Sequence, residues 1–336
     1  MDQIWLWIGF NIFVLGMLAV DLGIFNRHAH VVTLPEAARW TLIVVALAAV
    51  FNGWIFVAQG SQPGLEFTTG YLIELALSVD NIFVFILIFS YFRVPAQYQH
   101  RVLFWGIFGA LIMRGFMIAA GAYLIGRFEW IIYVFGAFLI VTGIRMAMQD
   151  EMDIEPEANP VLKLIRRLMP ISPSYEGQRF FTRVLIRGVT RRAATPLFIV
   201  LVLVETTDLI FAVDSIPAIF AITTDPFLVY TSNVFAIMGL RSMYFLLAGI
   251  IDKFHFLKLG LSVVLVLVGA KMLVTYFDIH VPVTISLAVV GTVLGGSVVL
   301  SLLFPKEAIE HSPVTDGPLD EVRPPDQAEF PSETPR

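Results

Sequence analysis

Long apolar runs separated by short polar turns organise this chain from its first residues to about position 304. Taking about 20 apolar residues per membrane crossing, the pattern predicts nine helical spans. Their limits are near 4–24, 39–58, 70–90, 101–124, 129–148, 195–221, 228–250, 256–276 and 282–304. The sixth run is longer than a span needs and contains Pro217. The expected fold is therefore all-α, a polytopic membrane protein of about nine transmembrane helices. The first run lacks a basic leader and a small-residue cleavage site, so it reads as a retained span rather than a removable signal peptide.

Two of these runs break the apolar pattern in the same way. One reads Glu74-Leu-Ala-Leu-Ser-Val-Asp80-Asn81, the other Asp208-Leu-Ile-Phe-Ala-Val-Asp214-Ser215-Ile-Pro217. Each places two carboxylates six residues apart and follows the second with an amide or hydroxyl. A lone Asp at a bilayer centre costs about 2.5–3.5 kcal/mol on insertion scales. With Glu205 included, five such carboxylates cost on the order of 10 kcal/mol unless something compensates them. A cation is the natural compensator.

The acidic motifs anchor a longer internal repeat. Asp80 matches Asp214 at an offset of 134, and the stretch around Arg114 matches that around Arg241 at 127. Gly143-Ile-Arg-Met then matches Gly269-Ala-Lys-Met at 126. Each copy spans three helices, so the second enters the membrane from the opposite side. The expected organisation is two N-terminal spans (1–69), a first repeat (70–148), a basic loop (149–194), a second repeat (195–276), a last span (277–304) and an acidic, Pro-rich tail (305–336) expected to be disordered. Inverted repeats of this kind are common in secondary transporters, whose substrate sites lie near the midplane where the repeats meet. A duplication kept only for packing is the alternative.

On a regular helix six residues turn the chain by about 600°, leaving Glu74 and Asp80 about 120° apart. Either the two helices pack centrally so that both walls face a cavity, or they break near Ser78-Val79 and Ala212-Val213. Pro217, which cannot donate to the Val213 carbonyl, favours the break. The candidate metal-binding residues are Glu74, Asp80, Asn81, Glu205, Asp208, Asp214 and Ser215. Such oxygen donors suit magnesium, calcium or manganese. Arg114 and Arg241 occupy equivalent positions within spans, either as structural ion-pair partners or as charges that hold the carboxylates once a metal has left. Asp21, at the end of the first span, is a further gating or charge-compensating candidate, or simply a residue reaching the interface. Lys271 is expected to snorkel outward. Gly109, Gly115, Gly121, Gly136 and Gly143 suit close helix contacts.

Composition adds little that the pattern lacks. The chain of 336 residues is 57% hydrophobic and 15% charged, which excludes disorder for most of it. It has no cysteine, so thiol redox chemistry and thiolate metal sites are unavailable to it. Charge is more informative by position. Lys163, Arg166, Arg167, Arg179, Arg183, Arg187, Arg191 and Arg192 crowd the loop 149–194, whereas 59–69 and 222–227 hold no base. The positive-inside rule makes the basic loop cytoplasmic, the N-terminus external and the C-terminus cytoplasmic. Within that loop, 160–169 has the pattern of a short basic amphipathic helix resting at lipid headgroups. Neither charge pattern suggests nucleic acid, and the oligomeric state is left open.

The stretches GYLIELALSVDNIFVF, FSYFRVP, RVLFWGIFGALIMRG, YVFGAFLIVTGIRMA, ATPLFIVLVLVETTDLIFAVDSIPAIFAITTDPF and SNVFAIMGLRSMYFLLAG resemble the TerC family of integral membrane proteins, in its Alx-like branch. The likeness covers about residues 70 to 276. It implies a bacterial inner-membrane protein linked to manganese(II) export, with the family's acidic positions at Glu74, Asp80, Glu205, Asp208 and Asp214. The resulting expectation is a secondary transporter exporting manganese(II) or a related hard divalent cation by alternating access. Coupling would be to protons or sodium, with no permanently bound cofactor. A non-transporting scaffold or stress-response protein with a structural carboxylate–arginine network is the competing reading. An intramembrane enzyme is disfavoured, since neither a Gly-x-Gly-Asp protease motif nor a metal-dependent lipid-transferase signature is present.

Overall fold

The computed structural model describes residues 2–20, 32–128, 130–148, 160–186, 189–248, 256–277, 279 and 281–304. Asp21, the predicted gating residue at the end of the first span, and the tail 305–336 lie outside the described residues. The helices are α1 (Asp2–Val20), α2 (Leu34–Ala58), α3 (Ser61–Tyr91), α4 (Ala96–Arg127), α5 (Ile131–Met148), α6 (Pro160–Leu168), α7 (Pro196–Phe220), α8 (Pro226–Leu247), α9 (Leu257–Val274) and α10 (Val283–Leu303). Seven of them are long and apolar enough to cross a membrane: α2, α3, α4, α5, α7, α9 with its short extension to Phe277, and α10. The two other predicted spans are α1, whose apolar stretch Ile4–Val20 is shorter, and α8. Helix α8 is the more instructive. Fifteen of its 22 residues are buried, so protein rather than lipid surrounds it and it tolerates Thr231, Ser232, Asn233 and Arg241.

Three expectations need correction. Residues 59–69, read as an external loop, are mostly helical, because α3 begins at Ser61. The turn before it is compressed into Gly60, whose φ of 103° favours glycine. A Cβ on Gly64 would stand 2.5 Å from the Phe56 ring, so the close return of α3 onto α2 also needs glycine there. Second, neither acidic helix is broken: α3 runs without interruption past Ser78, and α7 continues through Pro217. Pro217 sits only one turn from the end of α7 and is buried, so one ladder bond is lost while packing holds the helix. Third, the basic loop is not all helix and coil. Beyond α6 it folds into a hairpin of β1 (Phe181–Ile186) and β2 (Val189–Ala194), with Arg183 opposite Arg192. The aromatic and β-branched residues Phe181, Thr182, Val184 and Ile186, with Val189 and Thr190, suit these strands.

The repeat-related helices pack as antiparallel pairs, which is what inverted topology requires. In α5 and α9, Gly136 meets the Gly269 carbonyl and Gly143 meets the Ser262 carbonyl, at 2.9 and 2.7 Å from an added Cβ. At the repeat offset of 126, Gly136 corresponds to Ser262 and Gly143 to Gly269, so the two contacts exchange into one another. In α4 and α8, His100 lies beside Arg241 and Gly115 beside Tyr230. In α3 and α7, Asn81 reaches Asp208 while Gly70 lies against Ile219. The fold is thus a pseudo-twofold bundle with α3 and α7 at its centre.

A carboxylate–arginine cluster at the centre of the bundle

Arg114, on α4 and 2% exposed, is the hub of the site. Its Nη1 donates to Glu74 Oε1 on α3 and to Ser215 Oγ on α7 at 3.2 Å. Its Nε and Nη2 donate to the two oxygens of Asp208 at 3.4 and 3.3 Å. Asn81 Nδ2 donates to Asp208 Oδ1 at 3.0 Å. Glu74, Asn81, Arg114, Asp208 and Ser215 are all buried, at 2% exposure or less. Two carboxylates around one guanidinium leave a formal charge of −1 in a protein-lined interior, a balance that favours a further cation.

Several acceptors here have no donor among the described residues. Glu74 Oε2, Asn81 Oδ1, Ser78 Oγ and Glu205 Oε2 are buried without a hydrogen-bond partner. Buried polar atoms are usually satisfied, so these oxygens are the ones available to an electropositive ligand. A small cavity of about 10 Å³, room for roughly one water molecule, adjoins Asp208 between Phe85, Leu103, Gly106 and Leu240. Glu205 lies one turn before Asp208 with its carboxylate against Gly109, where no side chain would fit.

The remaining candidates lie elsewhere. Asp80 and Asp214 are half-buried and take no part in the hydrogen bonds of the hub, in keeping with the 120° rotation. Asp214 accepts a hydrogen bond from Thr142 of α5 at 3.3 Å. Asp80 is acted on by the charge of Lys258 on α9. Arg241 is held not by a carboxylate of the hub but beside His100 Nε2, at 3.3 Å. Among the described residues no three acidic or histidine side chains converge as a metal-ligand set in this conformation. Thr142, Lys258 and His100 were not anticipated as partners. Thr142 directly precedes Gly143 of the repeat, the one signal in the sequence that marked its position.

At the end of the bundle opposite the hairpin, a cavity of about 400 Å³ is lined by Glu66, Thr223, Thr224, Asp225 and Lys271, among others. Lys271 lines this vestibule, where Glu66 provides the opposing charge, rather than simply snorkelling outward. Between vestibule and hub lies a tight layer: a Cβ on Gly70 would meet Ile219 at 3.3 Å, and one on Gly121 would meet Phe220 at 2.8 Å. Met117, Met238 and Met243 pack within apolar clusters.

An antiparallel pseudo-twofold bundle around a buried ionic cluster defines a polytopic α-helical membrane protein. Residues 59–308 match the family described as integral membrane protein TerC, and the chain belongs to that family. It is 52% identical over 317 residues to an uncharacterized membrane protein, STKORF319, of Myxococcus xanthus, covering 94% of this chain and 97% of that one. It is 48% identical to the putative membrane-bound redox modulator Alx of Escherichia coli K12, covering 86% and 91% of the two chains. An uncharacterized membrane protein of Rickettsia felis is 39% identical over 91% of this chain and 99% of its own length. No solved structure matches.

Proposed function

We propose that this protein is a secondary transporter that exports manganese(II), or a related hard divalent cation, across a bacterial inner membrane. The observation that carries the reading is the hub itself. Two buried carboxylates share one arginine, and the spare oxygens of Glu74, Asn81 and Glu205 have no donor among the described residues. Oxygen donors of this kind suit Mg²⁺, Ca²⁺ or Mn²⁺. On this reading Arg114 compensates Glu74 and Asp208 whenever no metal is bound between them. Metal entry would displace the guanidinium, and a proton or sodium ion taking the carboxylates on release would drive the return.

The repeat suggests the second state. Exchange of the two copies turns the contacts of Arg114 with Glu74, Asp208 and Ser215 into contacts of Arg241 with Asp208, Glu74 and Asn81. In that state the hub would be held from α8 and access would open at the other end of the bundle. The vestibule of Glu66 and Lys271 is then the external mouth, and the basic loop and hairpin face the cytoplasm with the C-terminus, as the distribution of Lys and Arg favours.

A second reading comes from the name of the relatives, putative redox modulator. The absence of cysteine disfavours thiol exchange by this chain itself. The test is manganese(II) uptake into everted vesicles under proton and sodium gradients, comparing wild type with Glu74→Gln and Asp208→Asn at matched abundance. Flux in the wild type that falls at least tenfold in both variants supports export. Absent wild-type flux under every gradient would favour the scaffold reading.

A further inference from the structure

We propose that the basic hairpin and the adjoining face of α6 form a binding surface for anionic phospholipid headgroups. Residues 160–195 carry eight bases and a single acid, Glu176. That acid is already engaged, since its carboxylate accepts the hydroxyl of Thr182. On the hairpin, Arg183 and Arg192 lie directly opposite each other, and Arg191 opposes Val184. All three arginines are exposed. Directly opposed like charges destabilise a two-stranded ribbon, and among the described residues no acidic side chain pairs with any of them. Arg192 lies over the Phe181 ring at 4.7 Å, which orients its guanidinium but leaves its charge uncompensated.

Position selects the partner. Strand β2 ends at Ala194 and span α7 begins at Pro196, so Arg192 lies only four residues from the start of a membrane helix. At about 3.3 Å per extended residue that is at most about 13 Å from the span, which keeps a long arginine side chain within reach of the headgroup layer. The hairpin cannot swing away. Ala194 N donates to Pro170 O at 2.9 Å, Ser172 N donates to Ala194 O at 2.8 Å, and Tyr175 Oη donates to Phe92 O at the end of α3. Helix α6 is anchored by buried Leu162. It leaves Leu164 and Leu168 exposed, at 54% and 73%, beside exposed Lys163 and Arg167. Exposed leucines interleaved with bases at the edge of a span fit an acyl–headgroup boundary. A soluble polyanion would engage the charges and leave the leucines unexplained.

The full-length chain, purified in detergent, would be mixed with equal amounts of phosphatidylglycerol and phosphatidylcholine, and bound lipids counted by native mass spectrometry. The wild type is expected to retain phosphatidylglycerol in excess. A juxtamembrane base strengthens binding to an anionic surface by about fivefold. Combined Arg183→Gln, Arg191→Gln and Arg192→Gln should therefore lower the excess at least tenfold, while the corresponding triple Lys variant keeps most of it. Arg191→Gln alone, at an exposed position without a ring contact, should lower it about fivefold and covers the case in which the triple variant does not fold. A preference unchanged by these substitutions overturns the proposal. So does a wild type with no preference, the result expected if the acidic segment 305–336 occupies the hairpin instead. None of this depends on transport.

Discussion

Arg114 and Arg241 hold the same place in the two copies of the repeat, yet their surroundings differ. Arg114 reaches across to α3 and α7 and binds two carboxylates and a hydroxyl. Arg241 sits beside His100 at the hairpin end of α4, in a small cavity lined by Trp40, Val44, Phe104 and Ile107. The backbone pairing, by contrast, is nearly symmetric, with Gly136 on Gly269 and Gly143 on Ser262. A symmetric scaffold with an asymmetric charge network is what one state of a two-state device would display. The lesson is that duplication supplied two equivalent cations, and this conformation uses one of them at the hub.

The largest effect should follow from breaking the used half. Arg114→Gln leaves Glu74 and Asp208 buried and unpaired, and removing one partner of a buried ion pair costs about 3–5 kcal/mol. The measurement is thermal unfolding in detergent, where this variant should melt well below the wild type.

Gly143→Ala and Gly269→Ala probe the symmetric half of the comparison. Each adds a methyl group within 3 Å of a backbone carbonyl across the α5–α9 interface. Both should cost about 1–3 kcal/mol as overpacking, and by similar amounts, because the contacts are exchange-related. Gly53→Ala, with nothing within 4 Å of the added Cβ, should be neutral or stabilising by up to about 1 kcal/mol. A large difference between the Gly143 and Gly269 variants would show that the pseudo-twofold contact is not energetically symmetric.

Arg241→Gln probes the copy that the hub does not use in this conformation, since its described contact is with His100 Nε2. The measurement is manganese flux at matched amounts of folded protein. If Arg241 takes over the hub in the alternate state, its variant transports at about a tenth of the wild-type rate or less. Wild-type flux in Arg241→Gln would mean that the second copy contributes scaffold alone.

Much of this was legible in the sequence because the cost of intramembrane charge leaves a visible mark. The paired acidic motifs located the centre of the bundle, and the odd number of spans per repeat implied inversion. The small residues Gly136 and Gly143 marked the close contact of α5 with α9. Helix rotation also separated Glu74 from Asp80 before any partner was known. What the pattern could not give was continuity and partnership. Pro217 suggested a break because its missing donor is local, whereas the packing that keeps α7 intact is tertiary. The contacts of Arg241 with His100 and of Asp214 with Thr142 join residues far apart in the chain, at registers set by helix rotation and tilt. The hairpin was hidden because its arginines made 181–194 read as a charged loop.

The most direct test of the central claim, that Arg114 and a metal ion compete for the same carboxylates, is the melting temperature of wild type and Arg114→Gln titrated with manganese(II). Ligands that bind only the native state raise its stability with concentration. The account predicts a larger rise, at lower metal concentration, for Arg114→Gln than for wild type, because the cation then relieves two unpaired carboxylates without displacing a guanidinium. Equal shifts in the two proteins, or no shift in the variant, would contradict it.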